Sequence, residues 1–528
     1  MTMKIKSKIL RRASAATLAG CLACSCGIVA GAAEGDSLPS SYSSAEQGYV
    51  TPIKRQQYQD CAFNASIATF ESALLRAGYD IGEMSVDHMN VWCTTRSNSK
   101  GWIRDHGDSG YSSSAAGYFT SWQGGVLKTD LPGFKIEDFP YGDSVPTDLA
   151  GYGATAIRFV SDSDPREVKR QIYEHGGVYT AYSQSSSCMG NNSTTYYMPP
   201  DYNGYYIGHA IELVGWDDDF AKENFANPLI DQLPENNGAW LVRNSWGDNN
   251  KLGGYFWMSY ENKDVLSKRY NPSFSFEQIE KITSDKKLLQ NEIYGATYDF
   301  NYVNNQHITF LNHFDFTDEW FTVDKIVFKT SNAGAPYSLY FVPDDGDAPD
   351  NNRGNWIKLS SGTLPYNGYI CDDIQNYEVP KQKGSIAVEL DTSDLGKNAD
   401  LGVDEWLTDN NDEYVFINES ERGQSYIAYD GKMQDLMDCY KEVCNDDIGG
   451  TFVIKALTTK TGDFLIGDVN LDGKVNINDA TEIQKYLAGI TTLSGRAQRA
   501  ADFQRDDHVV IDDATAIQRY LVNPETSE

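Results

Sequence analysis

Basic side chains are scarce in this 528-residue sequence, which has 44 Lys and Arg residues against 75 Asp and Glu residues. The formal net charge of -31 gives the surface a potential that repels phosphate backbones and anionic lipid surfaces. Nucleic acid is therefore excluded as an expected partner. Most of the acidic side chains are expected to serve solubility. A local group of them is expected to bind divalent cations.

Cysteine is also sparse, because the chain has nine and three of these fall within the first 33 residues. The other six are scattered over a chain too long for so few bridges to form its framework. A disulfide-stapled fold is therefore excluded, whereas one isolated bridge is not. The six scattered cysteines are Cys61, Cys93, Cys188, Cys371, Cys439 and Cys444.

Long apolar runs are confined to the N-terminus, where a small, apolar stretch over residues 13–33 follows a basic segment. This arrangement predicts a signal peptide over residues 1–33 that is cleaved before Glu34. Two alternatives stay open: a transmembrane anchor, for which the stretch is barely long enough, and a lipobox that ends at Cys21 and leaves it lipidated. We expect a secreted protein without a transmembrane anchor.

The rest of the chain is too long for one compact core, and its patterning predicts three domains. Residues 34–275 mix helical and strand patterns. Residues 285–458 carry short alternating or apolar runs between turn-rich stretches, a pattern typical of a β-sandwich. Residues 458–462 have the character of a short polar linker, and residues 463–528 contain an internal repeat.

The first candidate site is a thiol at the start of a helix. Residues 61–76 carry apolar side chains at helical spacing, and Gly78 is a natural stop. Cys61 is therefore expected in the first turn, where the helix dipole lowers the thiol pKa and favours the thiolate. Asp60 is placed to cap this helix, but its carboxylate beside the sulfur opposes thiolate formation.

Two further motifs accompany Cys61 at long range. Residues 208–217 place His209 in an apolar strand pattern, and residues 238–247 contain Asn244 and Trp246. With Gln56 and the segment after Cys61, they resemble the papain family of cysteine peptidases over roughly residues 38–262. The order Cys, His, Asn is that of the family.

The resemblance implies an α+β fold, with a helical subdomain and a β-rich subdomain. It implies Cys61 as nucleophile, His209 as general base and Asn244 as the group that orients the imidazole. Gln56 matches the family's oxyanion donor at a spacing one residue short, with Gln57 as the fallback. A protein or peptide substrate is implied, and no cofactor for catalysis.

Three positions beside the nucleophile depart from the family pattern. Asp60 and Ala62 replace the usual Ser or Gly and the usual Trp, and Asn64 stands where an aromatic is usual. Two hypotheses follow from these departures. One is an active cysteine-type endopeptidase, and the other is a catalytically impaired papain-fold protein that serves for binding.

A 12-residue loop rich in oxygen-bearing side chains occurs twice near the C-terminus, each time before the same helix start. The first loop turns at Gly473, whereas Asp507 and Val510 break the pattern in the second, which is expected to bind calcium more weakly. The first loop offers Asp468, Asn470, Asp472, the carbonyl of Lys474, Asn476 and Asp479. The second offers Asp502, Gln504, Asp506, the carbonyl of His508, and Asp513.

This pair of half EF-hands is similar to a type I dockerin, a small all-α domain. The resemblance implies Ca²⁺ binding and docking on a cohesin module of a scaffolding protein, as in cellulosome-like complexes that degrade polysaccharides. The middle domain loosely resembles the lectin-like domain behind some bacterial papain-type peptidases, and both a glycan ligand and a purely structural sandwich stay open. The predicted protein is a secreted endopeptidase attached to such a scaffold.

Overall fold

The computed structural model describes residues 38–522 except 191–192, 268, 270–271, 302–304, 318–320, 380–381, 406, 409–413, 445–448, 461–464, 494 and 507. The predicted signal peptide, Cys21 and Asp507 lie outside the described residues. Across these ranges no helix combines the length and the apolar character that crossing a membrane requires. The cysteines whose side chains are described are all free, namely Cys61, Cys93, Cys188, Cys371 and Cys439.

The first part of the described chain combines four helices with ten strands. The helices are α1 (Cys61–Arg76), α2 (Val86–Trp92), α3 (Ser112–Thr120) and α4 (Pro165–His175). The strands are β1 (Ser41–Ser43), β2 (Gly101–Trp102), β3 (Tyr152–Val160), β4 (Val178–Gln184), β5 (Met189–Gly190), β6 (Thr195–Tyr196), β7 (Ile207–Asp217), β8 (Ala239–Arg243), β9 (Tyr255–Ser259) and β10 (Ser273–Lys281). The helix predicted over residues 61–76 is confirmed, and the predicted domain boundary at residue 275 falls inside β10.

Helix α1 is the central element of this part, because every residue from Ala62 to Leu74 is buried. Phe70 contacts Phe119 of α3 and Phe276 of β10, with ring centroids 4.3 and 4.9 Å apart. These aromatic contacts fix the helix against the strands by burying large apolar surfaces. The position of Cys61 at the start of α1 is fixed with it.

The second part is rich in strands. They are β11 (Lys286–Leu289), β12 (Tyr298–Asn301), β13 (His307–Asp315), β14 (Phe321–Thr330), β15 (Pro336–Asp345), β16 (Ala348–Pro349), β17 (Ile357–Thr363), β18 (Gly368–Val379), β19 (Lys383–Asp391), β20 (Asp400–Val403), β21 (Leu407–Thr408), β22 (Tyr414–Ile417), β23 (Ser425–Tyr429), β24 (Lys432–Asp435) and β25 (Ile454–Lys460). Helix α5 (Leu436–Cys444) precedes β25. An apolar core that includes Phe310, Phe328 and Phe341 lies between strands of two sheets.

The larger sheet crosses from the first part into the second. Within the described residues it has 13 strands, in the order β11-β25-β14-β18-β3-β10-β4-β7-β8-β9-β6-β5, with β1 beside β7. The smaller sheet has the order β16-β15-β19-β13-β23-β24, with β17 beside β15. A separate β-sandwich was expected, but one of its layers continues into the neighbouring domain because the edges of β18 and β3 pair and cover each other.

The junction of the two parts depends on two glycines. A Cβ on Gly117 of α3 would lie 2.0 Å from the carbonyl oxygen of Tyr294, and one on Gly295 would lie 2.8 Å from the amide nitrogen of Gly117. Only glycine permits so close an approach of the two backbones, and Gly295 also has a φ of 83°. Strand β2 adds a second connection, because Trp102 pairs with Phe416 of β22.

The C-terminal part contains the helices α6 (Ile477–Leu487), α7 (Gly495–Ala501) and α8 (Ile511–Val522). Its core includes Ala480 and Ile483 of α6 with Ala514 and Ile517 of α8. The expected polar linker before it is wrong for residues 458–460. These residues belong to β25 and pair with β11 and β14, because their β-branched threonines suit an extended ladder.

Candidate active site

Cys61 is the first residue of α1, and Asp60 precedes it at the N-cap. The predicted capping bond is wrong, because the Asp60 side chain makes no capping hydrogen bond at its backbone angles of φ -98° and ψ 28°. Its carboxylate is buried instead. Oδ2 lies 3.5 Å from the Asn90 amide nitrogen, and Oδ1 accepts no hydrogen bond from the described residues.

His209 lies on β7, directly before Ala210, whose backbone is close to the thiol of Cys61. Its Nε2 atom is 2.9 Å from Oδ1 of Asn244, which follows the end of β8. The Trp246 ring stacks on the imidazole, with centroids 4.7 Å apart and planes inclined by 24°. The backbone N–H of Ala210 is close enough to the Cys61 sulfur to favour its charged form. Cys61, His209 and Asn244 are therefore gathered at the meeting of α1, β7 and β8.

Gln56 is held against the segment that carries Asn244. Its backbone N–H donates to the carbonyl of Ser245 at 2.8 Å, and its Oε1 accepts from the Ser245 hydroxyl at 2.6 Å. Nε2 donates to the carbonyl of Tyr58 at 3.0 Å. A side-chain amide has two N–H donors, so the second one is available for another acceptor. Gln57, the fallback, has an exposed side chain.

The pKa values of the site favour the neutral thiol and the neutral imidazole. Burial raises the pKa of the Cys61 thiol; the Ala210 N–H opposes this increase, and the Asp60 carboxylate adds to it. The lowered pKa expected from the helix start is therefore wrong, because desolvation outweighs the backbone N–H groups that favour the thiolate. Burial also lowers the pKa of His209 to about 4, against the effect of the Asn244 hydrogen bond.

A network of buried charges lies beneath the site, and the sequence patterns did not reveal it. Lys54 Nζ is 2.8 Å from Glu71 of α1, and Arg243 Nη1 is 2.9 Å from Glu212 of β7. Arg243 also donates to the carbonyl and hydroxyl oxygens of Thr51, both at 2.7 Å. The network joins the helix that carries Cys61 to the strands that carry His209 and precede Asn244.

A cleft of about 600 Å³ opens beside Asn244 and Trp246. The segment between β7 and β8 contributes Asn227 and Pro228 to its wall. Asn227 Nδ2 donates to the carbonyl of Ser187 at 2.8 Å, which joins this segment to the chain between the lining residues Ser186 and Met189. The cleft is large enough to receive part of an extended peptide.

The two C-terminal loops share internal hydrogen bonds at equivalent positions. Asp479 Oδ1 accepts from the backbone N–H groups of Val469 and Asn470, and Asp513 Oδ1 accepts from that of Gln504. Both aspartates are fully buried. No group of three or more His, Cys, Asp or Glu side chains in the described ranges is arranged to hold a metal ion. The donor set of carboxylate, amide and carbonyl oxygens in 12 residues nevertheless fits calcium chemistry.

Comparisons with known proteins match all three parts of the described chain. Family profiles described as papain family cysteine protease, lectin like domain and dockerin type I domain match residues 38–273, 288–458 and 466–522. The solved structure of Cwp84, a clostridial cysteine protease after propeptide cleavage, is 31% identical with a TM-score of 0.70, and the similarity covers 80% of this chain and 100% of that one. The chain belongs to the papain family of cysteine proteases. A lectin-like domain and a type I dockerin domain follow its papain-like domain.

Two further relatives show how far the similarity reaches. A structure of the cysteine protease and lectin-like domains of Cwp84, described as a surface layer associated protein of Clostridium difficile, is 30% identical with a TM-score of 0.69, covering 80% of this chain and 90% of that one. Cathepsin J of Mus musculus is 25% identical over 224 residues, or 41% of this chain. The chain spans 59% of the length of that curated relative.

Proposed function

We propose that this protein is a secreted cysteine endopeptidase with Cys61 as its nucleophile, attached to a cohesin-bearing scaffold through a calcium-binding dockerin. The arrangement of side chains around His209 supports the peptidase part of the proposal. Asn244 forms a hydrogen bond with the imidazole, and the Trp246 ring covers it. Ala210, the residue after His209, has its backbone N–H near the Cys61 sulfur. The Cys, His, Asn constellation of thiol peptidases consists of these same groups.

The hydrogen bond to Asn244 decides which nitrogen of His209 acts as the base. Because the Asn244 oxygen only accepts, Nε2 carries the proton and Nδ1 has the free lone pair. Nδ1 removes the thiol proton while the sulfur attacks the carbonyl carbon of the scissile peptide. The imidazolium then protonates the leaving amine, and a water molecule hydrolyses the thioester and restores the thiol.

Two N–H groups are available for the oxyanion of the tetrahedral intermediate. One is the backbone N–H of Cys61, which has no intrahelical partner at the first position of α1. The other is the second hydrogen of the Gln56 amide, which the Tyr58 carbonyl leaves available. Donors that act on charge developing in the transition state typically contribute about 3–4 kcal/mol each.

The dockerin part of the proposal rests on the two C-terminal loops. Asp468 and Asp479 are buried in the first loop, where both accept hydrogen bonds from backbone N–H groups of the same loop. Calcium would be held there by Asp468, Asn470, Asp472, the Lys474 carbonyl, Asn476 and Asp479. The ion would neutralise the crowded carboxylates and so stabilise both loops. Ile477 and Ile511, at equivalent positions of α6 and α8, are 55% and 54% exposed and suit docking in either orientation.

Hydrolysis of an unfolded protein tests the peptidase function. The full chain should cut denatured casein at internal bonds, seen by mass spectrometry as peptides with two new ends. Cys61→Ala and His209→Ala should abolish this cleavage, whereas Cys371→Ser, outside the site, should retain it. Removal of residues from chain ends alone would contradict the endopeptidase assignment.

A binding role without catalysis is the second candidate, and the buried carboxylate of Asp60 favours it. This group raises the pKa of the adjacent Cys61 thiol and so disfavours the nucleophile. If this role is correct, the full chain binds denatured casein without cutting it, and Asp60→Ser restores measurable cleavage. Cleavage by the unmodified chain would rule this candidate out.

A further inference from the structure

A second large cavity, of about 680 Å³, lies at the junction of the papain-like and lectin-like domains, away from the thiol site. Its papain-like wall comes from the start of α3 and the end of β3, and its lectin-like wall comes from β12, β14 and the start of β18. The volume falls in the range of about 300–1,000 Å³ that is typical of small-molecule sites, which favour domain interfaces. None of the candidate catalytic residues lines it.

The two walls of this cavity are joined by the backbone. Tyr369 of β18 pairs with Ile157 of β3, and the Phe159 N–H donates to the carbonyl of Asn367 at 2.9 Å. Ala296 donates its N–H to the Tyr369 hydroxyl at 3.1 Å. Because hydrogen bonds cross between the domains at the rim, the cavity is a built part of the fold.

The charged groups of the cavity neutralise each other. Lys329 and Asp299 form a salt bridge, and the second carboxylate oxygen of Asp299 accepts from the Ser331 hydroxyl at 2.7 Å. Lys329 is also 5.7 Å from the centre of the Phe159 ring. With one acid paired to one base, the lining favours an uncharged ligand over an ion, because a net charge would lack a counter-charge.

The rest of the lining combines aromatic faces with small hydroxyls. Tyr298 is 42% exposed, and Tyr111 is 37% exposed with its ring stacked on Trp102. Each tyrosine offers an apolar face and a polar tip. Hydroxyl and amide groups, which both donate and accept hydrogen bonds, complete the wall. They are Ser112, Ser113, Ser161, Ser331 and Asn367.

We propose that this junction cavity binds a short neutral oligosaccharide, which contacts both domains. A sugar ring has an apolar C–H face that packs on an aromatic side chain, and its rim of hydroxyls matches groups that donate and accept. Tyr298 provides the stacking surface, and the Asp299–Lys329 pair provides a fixed acceptor and donor. This proposal does not depend on peptidase activity.

Calorimetric titration of the full chain carrying Cys61→Ala tests the proposal without autolysis. The probes are cellohexaose and xylohexaose, with hexagalacturonate as the acidic counterpart. We expect at least one neutral hexasaccharide to bind, and its affinity to fall about tenfold in Tyr298→Ala because the stacking surface is lost. Tyr298→Phe keeps the ring and should bind as the parent does. Tyr205→Ala removes an 83% exposed tyrosine outside the cavity and should also leave binding unchanged.

Hydrogen exchange locates the bound sugar. The neutral hexasaccharide should slow amide exchange both in residues 111–116 and in residues 296–301, because the cavity takes its walls from both segments. No binding of either neutral probe at millimolar concentration would contradict the proposal. Tighter binding of hexagalacturonate, unchanged affinity in Tyr298→Ala, or slowed exchange confined to one domain would contradict it as well.

Discussion

The indole of Trp246 lies face to face with the imidazole of His209, with centroids 4.7 Å apart. Trp246 is 40% exposed and His209 only 4%, so the indole separates the His209–Asn244 hydrogen bond from solvent. In Trp246→Ala, water reaches the imidazole, and its pKa of about 4 rises toward the ordinary value. We expect kcat/KM to fall about tenfold and its acid limb to move to higher pH. Tyr205→Ala is the control, and an unmoved acid limb would refute the shielding role.

Asp60 should limit the reactivity of Cys61 in a pH-dependent way. Burial raises the pKa of Asp60, and its charged form raises the pKa of the thiol. Asp60→Asn and Asp60→Ser remove this charge, so we expect several-fold faster alkylation of Cys61 by iodoacetamide at neutral pH. The difference should vanish as the pH falls below the Asp60 pKa, where the native carboxyl is neutral. Equal rates at neutral pH would mean that the carboxylate does not act on the sulfur.

The stability of Asp60→Asn gives an independent check on the same carboxyl. A carboxyl whose pKa is raised in the folded state stabilises the fold at low pH, and this contribution is lost as the pH rises through the folded pKa. The Asn variant should therefore be more stable than the parent at neutral pH and should lose that advantage in acid. Urea unfolding at several pH values measures both.

The buried pair of Arg243 and Glu212 should be essential to stability. Arg243→Met leaves Glu212 charged and uncompensated at 0% exposure, so we expect the free energy of unfolding in urea to fall by about 3–5 kcal/mol. Lys128→Met is the matched control, because its salt bridge with Glu83 is exposed and contributes about 0–1 kcal/mol. Replacing Arg243 and Glu212 together by Met and Leu should recover most of the loss. Equal effects of the two single variants would contradict the buried network.

Much of the candidate site was predictable from the sequence because its parts are local motifs. The apolar spacing of residues 61–76 predicts the helix that begins at Cys61. His209 and Asn244 lie in short segments that match family motifs without any knowledge of the fold. The cap at Asp60 was not predictable, because the backbone angles and the neighbouring Asn90 turn its carboxylate away. The pairing of Lys54 with Glu71 was also hidden, since a charged residue in a helix pattern normally indicates a solvated face.

The fold was predictable within each domain but not across their junction. Alternating runs indicate strands, yet they do not specify which distant edges pair, so the contact of β3 with β18 had no local signal. The close contact at Gly117 was not predictable either. A glycine in a helix indicates a close backbone contact only when the opposing Tyr294 backbone is known. The polar threonines before residue 461 resembled a linker, although their β-branched side chains fit the strand in which they lie.

The two dockerin loops should contribute unequally to docking. Asp472 and Asp506 hold equivalent positions, and each accepts from the backbone N–H two residues later, at 3.0 and 3.1 Å. The first loop keeps all its ligand positions, so we expect Asp472→Ala to weaken calcium-dependent cohesin binding by the full chain more than Asp506→Ala does. Surface plasmon resonance with and without chelator measures both. Equal losses would refute the asymmetry, and full binding in chelator would refute calcium-dependent docking.

Selective covalent labelling of Cys61 distinguishes a peptidase nucleophile from an inert buried thiol. Burial raises the pKa of Cys93 and of Cys371 to about 12, and that of Cys188 to about 11, so these thiols should react slowly. We predict that a peptidyl epoxide labels the full chain once, at Cys61 by peptide mapping, with peptidase activity lost in proportion. Asn244→Ala should slow the labelling, and Cys371→Ser should not. Labelling spread over several cysteines, or activity that survives complete modification of Cys61, would contradict the assignment of Cys61 as the nucleophile.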